Sequence, residues 1–79
     1  MSEQKIHKDE RMTTRAEVAA ELRRIADELE SEGVFTYGAE GRLTVPEALE
    51  REIEIESEDK GSRIKYEIEI ELEWSVPKE

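Results

Sequence analysis

From position 64 to position 74 every second residue is apolar: Ile64, Tyr66, Ile68, Ile70, Leu72 and Trp74. Lys65, Glu67, Glu69, Glu71 and Glu73 stand between them. Successive side chains of a β-strand point to opposite faces, so this alternation predicts a long half-buried strand with one apolar and one glutamate-lined face. The same two-residue period runs through residues 50–58, with Ile53 and Ile55 in one phase and Glu52, Glu54 and Glu56 in the other. Asp59-Lys60-Gly61-Ser62 between the two runs is a turn signal, so the pair is expected to form a hairpin. A one-residue slip would turn the isoleucines into water, which fixes the phase of the pairing. A loop centred on Lys60-Gly61 sets Glu58 against Arg63, Glu56 against Lys65, Glu54 against Glu67 and Glu52 against Glu69. On the inner face it sets Ile55 against Tyr66 and Ile53 against Ile68. Opposite charges then meet near the turn, and glutamate meets glutamate farther away, which is unfavourable across strands. Arg51 falls in the inward phase; either strand regularity begins after it, the simpler reading, or its stem packs inward while the guanidinium reaches water or a carboxylate.

The remaining elements follow from capping and periodicity. Thr14 is a good N-cap and Glu17, three residues on, completes a capping box. Val18, Ala19, Leu22, Ile25, Ala26 and Leu29 recur at three- and four-residue steps as one apolar stripe. Gly33 stands where a helix ends in a left-handed residue, so a helix is predicted over residues 15–32. Val34-Phe35-Thr36-Tyr37 is β-branched and aromatic, Gly38-Ala39-Glu40-Gly41 is turn-like, and Leu43-Thr44-Val45 resumes a short strand before Pro46. The expected fold is α+β: one amphipathic helix packed on one face of a meandering antiparallel sheet of about four strands. Ile6, Lys8, Glu10 and Met12 share one phase and offer a fifth, short edge strand in the polar segment 1–12; residues 13–76 form the domain.

Composition narrows the function classes. Asp and Glu number 22 against 12 Lys and Arg, a net charge of -10 in 79 residues. Such a surface repels nucleic-acid phosphates and anionic membranes and attracts cations and basic proteins. The chain has no cysteine, which excludes disulfides and thiolate metal sites and makes the cytoplasm the default compartment. The first twelve residues lack the apolar stretch of a signal peptide, and no apolar run is long enough for a membrane span.

The run Glu67-Ile-Glu-Ile-Glu-Leu-Glu-Trp74 resembles the C-terminal signature of the amphi-Trp domain family. An Ala-rich helix with a polar lead-in (Thr13-Thr-Arg-Ala-Glu-Val-Ala-Ala20), a short strand ending in Thr44-Val45-Pro46 and a second alternating strand, Glu52-Ile-Glu-Ile-Glu56, match it in order. The resemblance covers roughly residues 10 to 75. It implies a small cytoplasmic prokaryotic domain, many members being archaeal; the family has no established activity, so no catalytic or cofactor residues carry over.

The glutamate face is the one candidate site. Glu52, Glu54, Glu67, Glu69 and Glu71 are the residues expected to engage a basic protein, and self-association as a homodimer is a further expectation. Glu52, Glu54, Glu67 and Glu69 are weaker metal candidates, because hard cations need oxygen ligands that converge and a flat ladder spreads them. The plain alternative is a solvated face that keeps the sheet soluble and blunts edge pairing. Catalysis is not expected, nor is a cofactor. No P-loop, GxSxG, HExxH or CxxC motif occurs, and nothing in the sequence holds the only histidine, His7. Trp74 and Tyr66 share the apolar phase and are read as packing residues.

Overall fold

The computed structural model describes residues 3–78. It has one helix and four strands, an α+β fold, as the periodicities predict. The chain divides into two compact units, residues 1–45 and 46–79.

The first unit begins with α1, Arg15–Ser31. Thr14 holds an extended backbone, and its Oγ1 accepts a hydrogen bond from the Glu17 amide at 3.1 Å. The Glu17 carboxylate answers to the Thr14 hydroxyl at 3.2 Å, so the box closes through the side chains. Gly33, at φ +64°, takes the left-handed conformation that lets the chain leave the helix. β1, Val34–Tyr37, and β2, Gly41–Thr44, follow as an antiparallel hairpin with Val34 opposite Thr44 and Tyr37 opposite Gly41. Val45 still donates its amide to the Gly33 carbonyl at 2.8 Å, but Pro46 has no amide hydrogen to continue the ladder.

α1 is tied to β1 through Glu28. Its carboxylate accepts from the Thr36 hydroxyl at 2.9 Å, from the Thr36 amide at 3.1 Å and from Arg24 Nη1 at 2.8 Å. These bonds, the Thr36 hydroxyl first, hold the Glu28 carboxyl below its usual range against partial desolvation. Val34, 4% exposed, is the buried core residue among those described. Ile25 and Leu29 of the expected stripe are half-buried, whereas Val18 and Leu22 stay exposed. One helix and a four-residue-stranded hairpin enclose too little volume to cover the whole stripe.

Residues 3–14 form neither helix nor strand, so the N-terminal edge strand does not form. Ile6 and Met12 are the only apolar residues in its phase and both are exposed, which leaves it no face to bury. The His7 ring nevertheless lies 5.3 Å from that of Tyr37, which stacks 6.4 Å from Phe35. His7 is exposed, and Tyr37 beside it is a neighbour the sequence did not reveal.

The second unit is a long hairpin, β3, Glu50–Asp59, paired with β4, Ile64–Glu73. The four strands thus make two two-stranded sheets and not one meander. Strand regularity includes Arg51, which sits on the apolar face opposite Leu72. Trp74 follows β4 and is half-buried.

Candidate functional site

The turn after β3 decides which glutamates meet. Asp59 Oδ1 accepts the Gly61 amide at 2.9 Å, and the Lys60 amide donates to the Arg63 carbonyl at 2.8 Å. Gly61 takes φ +90°, a region that favours glycine at the first central position of a tight hairpin turn. The loop is therefore centred on Gly61-Ser62, one residue beyond the centre expected from sequence, and the register moves by two residues. Two is one full strand period, so each face keeps its residues while every partner changes.

The corrected cross-strand pairs on the acidic face are Glu50–Glu73, Glu52–Glu71, Glu54–Glu69, Glu56–Glu67 and Glu58–Lys65. Glu54 does not meet Glu67, Glu52 does not meet Glu69, and neither Arg63 nor Lys65 neutralises the partner assigned from sequence. Four like-charged pairs stand in succession; only the pair nearest the turn joins opposite charges, and there Lys60 forms a 3.4 Å ion pair with Glu58. All five candidate residues lie on this face. Glu69 sits beside Glu54 and Glu71 beside Glu52, whereas Glu67 is grouped with Glu56, which sequence reasoning passed over because it paired Glu56 with Lys65. The Asp59 carboxylate two residues before Gly61 was the available signal, since Asp side chains cap the backbone two residues on.

Proximity raises the proton affinity of two carboxyls, Glu54 and Glu71. Glu54 is pushed above the usual carboxylate range, first by a shared hydrogen bond with the Glu56 carboxyl and then by the charges of Glu56 and Glu69. Glu71 is raised chiefly by the charge of Glu52 across the strands, then by Glu73 beside it. Carboxylate oxygens of Glu54, Glu56 and Glu69 all lie within 4.8 Å of one another, the one grouping of metal-ligand type among the described residues. A shallow groove runs along the same face between Glu52, Glu54, Glu69 and Glu71. Chemically, this is an open, negative, oxygen-rich strip that can take cationic groups side by side.

Compared with known proteins, the sequence matches one family model, the Amphi-Trp domain, over residues 1–79, beyond the 10–75 span carried by the motifs alone. No curated protein and no solved structure matches the chain.

Proposed function

This chain belongs to the Amphi-Trp domain family, and we propose that it works as a non-catalytic interaction module whose glutamate face engages a basic protein. One observation carries the reading: the rungs Glu52–Glu71, Glu54–Glu69 and Glu56–Glu67 adjoin one another with no basic residue among them. Such a strip repels itself when free, so lysine or arginine side chains laid along it relieve repulsion as well as gain attraction. The net charge of -10 steers a basic partner toward the chain from a distance.

The test is titration with a lysine-rich peptide at low and at high salt. Affinity should fall at least about tenfold from 50 mM to 500 mM salt as exposed charges are screened. Reversing Glu52, Glu54, Glu69 and Glu71 to lysine should abolish binding. Affinity indifferent to both changes removes the proposal.

A second reading, divalent-cation binding, is favoured by the convergence of Glu54, Glu56 and Glu69. Three carboxylates supply part of the six to eight oxygens that Ca²⁺ takes, water supplying the rest. Saturable amide shifts at these three residues below about 1 mM Ca²⁺ are then expected; shifts spread over the whole acidic surface would mean ordinary screening.

A further inference from the structure

The face opposite the glutamates has no cover within its own unit, because a two-stranded sheet has no second layer. Ile53, Ile55, Ile64, Tyr66, Ile68 and Ile70 each expose between 51% and 74% of their surface. An isolated hairpin of this kind is at best marginally stable in water. The rows across this face are Arg51–Leu72, Ile53–Ile70, Ile55–Ile68, Ser57–Tyr66 and Asp59–Ile64. Large apolar side chains thus fill the middle, and one charge of each sign closes the two ends of β3.

We infer that this face is the interface of a symmetric dimer, in which the β3–β4 hairpin of one copy lies face to face on that of a second copy. Three properties select a second copy as the occupant. The first is area. At these exposures the six side chains together with Leu72 offer on the order of 800 Å², the amount each partner contributes to a standard stable interface.

The second is charge. With the two-fold axis in the interface and across the strands, Ile55 and Ile68 each meet their own counterparts at the centre. β3 then runs antiparallel over its counterpart, so Ile53 meets the second copy's Ser57 and Ile70 meets its Tyr66. Residue 55 is midway between 51 and 59, so Arg51 of each copy arrives over Asp59 of the other, giving two ion pairs at the ends. Neither Arg51 nor Asp59 has an ion-pair partner among the described residues. The third is what stays outside. Both glutamate faces point outward, separated by more than the roughly 10 Å between packed sheets, beyond the roughly 8 Å Debye length at physiological salt. This arrangement lets a chain of charge -10 associate with itself, and it leaves the acidic face free for the basic partner, so the two proposals stand or fall separately.

Sedimentation of the full chain gives the mass. A species of about twice 9.2 kDa is expected at micromolar concentration. Ile55→Glu with Ile68→Glu should reduce it to a monomer, and Glu54→Lys with Glu69→Lys should not. Arg51→Glu should weaken dimerisation about tenfold, and less than about threefold when Asp59 is already Asn, which keeps the turn's acceptor. Should the isoleucine variant fail to fold, Ile68→Cys in this cysteine-free chain decides. With a short bismaleimide, whose reach matches the roughly 10 Å between packed sheets, it should cross-link to its own counterpart at least about ten times faster than Glu67→Cys, which lies on the outer face. A monomer at all concentrations overturns the inference. So do a dimer indifferent to Ile55 and Ile68, or equal cross-linking rates.

Discussion

Reversing Glu56 to lysine is expected to stabilise the protein, whereas the same change two residues away, at Glu58, is expected to destabilise it. Glu56 faces Glu67 across the hairpin, whereas Glu58 stands opposite Lys65 in register and forms a 3.4 Å ion pair with Lys60. Glu56→Lys therefore exchanges a repulsive pair for an attractive one, and Glu58→Lys does the reverse. Both sites are exposed, so each swing is worth about 0.5–1 kcal/mol. For a domain of this size that shifts the melting temperature by about 2–8 °C, upward for Glu56→Lys and downward for Glu58→Lys. The assay is thermal melting by circular dichroism at low ionic strength and fixed protein concentration. Repeated near 1 M salt, where the Debye length is about 3 Å, both shifts should shrink towards zero. The signs also distinguish the registers. If the loop were centred on Lys60-Gly61, Glu56 would face Lys65 and its reversal would be destabilising. A lower melting temperature for Glu56→Lys at low salt therefore refutes the pairing, and a shift of unchanged size at high salt refutes its electrostatic origin.

Three further outcomes are expected. Glu54 and Glu71 should titrate above the usual glutamate range and Glu28 below it, which side-chain carboxyl NMR resolves residue by residue. A raised carboxyl stabilises the fold below its unfolded value, and that contribution is lost as pH rises through the folded value. The lowered Glu28 does the opposite, contributing above its unfolded value and losing this as pH falls through the folded one, so mild acidification should relax the ladder before it loosens the α1–β1 link. Gly41→Ala should cost about 1–3 kcal/mol in urea unfolding, because a Cβ there would overlap the Tyr37 ring packed over it; an unchanged midpoint contradicts that packing. Thr14→Ala should cost about 1 kcal/mol through loss of the cap to the Glu17 amide, with Thr14→Ser close to wild type in the same assay.

Helix, hairpins and faces were legible in the sequence because each rests on a local rule. Thr14 and Gly33 mark the helix, and the two-residue period assigns every residue of β3 and β4 to its face. The register was not legible from that period, since any even shift satisfies it. It is set by the Asp59 side chain and the left-handed Gly61, a local detail of the turn. The same two-residue shift explains why Glu56 was missed in the candidate site and why Glu67 was given the wrong partner. The core was over-read for a different reason. An apolar stripe states what an element can bury, and among the described residues the unit that contains α1 buries only Val34.

The two faces of β3–β4 impose opposite demands on the same backbone. Alternation ties Ile53, Ile55, Ile68 and Ile70 to neighbouring glutamates, so extending the apolar face also extends the charged one. In the proposed dimer this coupling limits assembly to two copies. Face-to-face packing uses up the only apolar side of each hairpin, and what remains outward is glutamate, against which a third copy would bring only more glutamate. Stacking therefore ends at one pair of sheets, and edge pairing is opposed by the same charges. A basic partner laid on the outer face would lift that restraint as it neutralised the carboxylates. Excess lysine-rich peptide should consequently promote larger assemblies from the wild-type chain. It should not do so from a chain carrying lysine at positions 52, 54, 69 and 71, which light scattering reads directly.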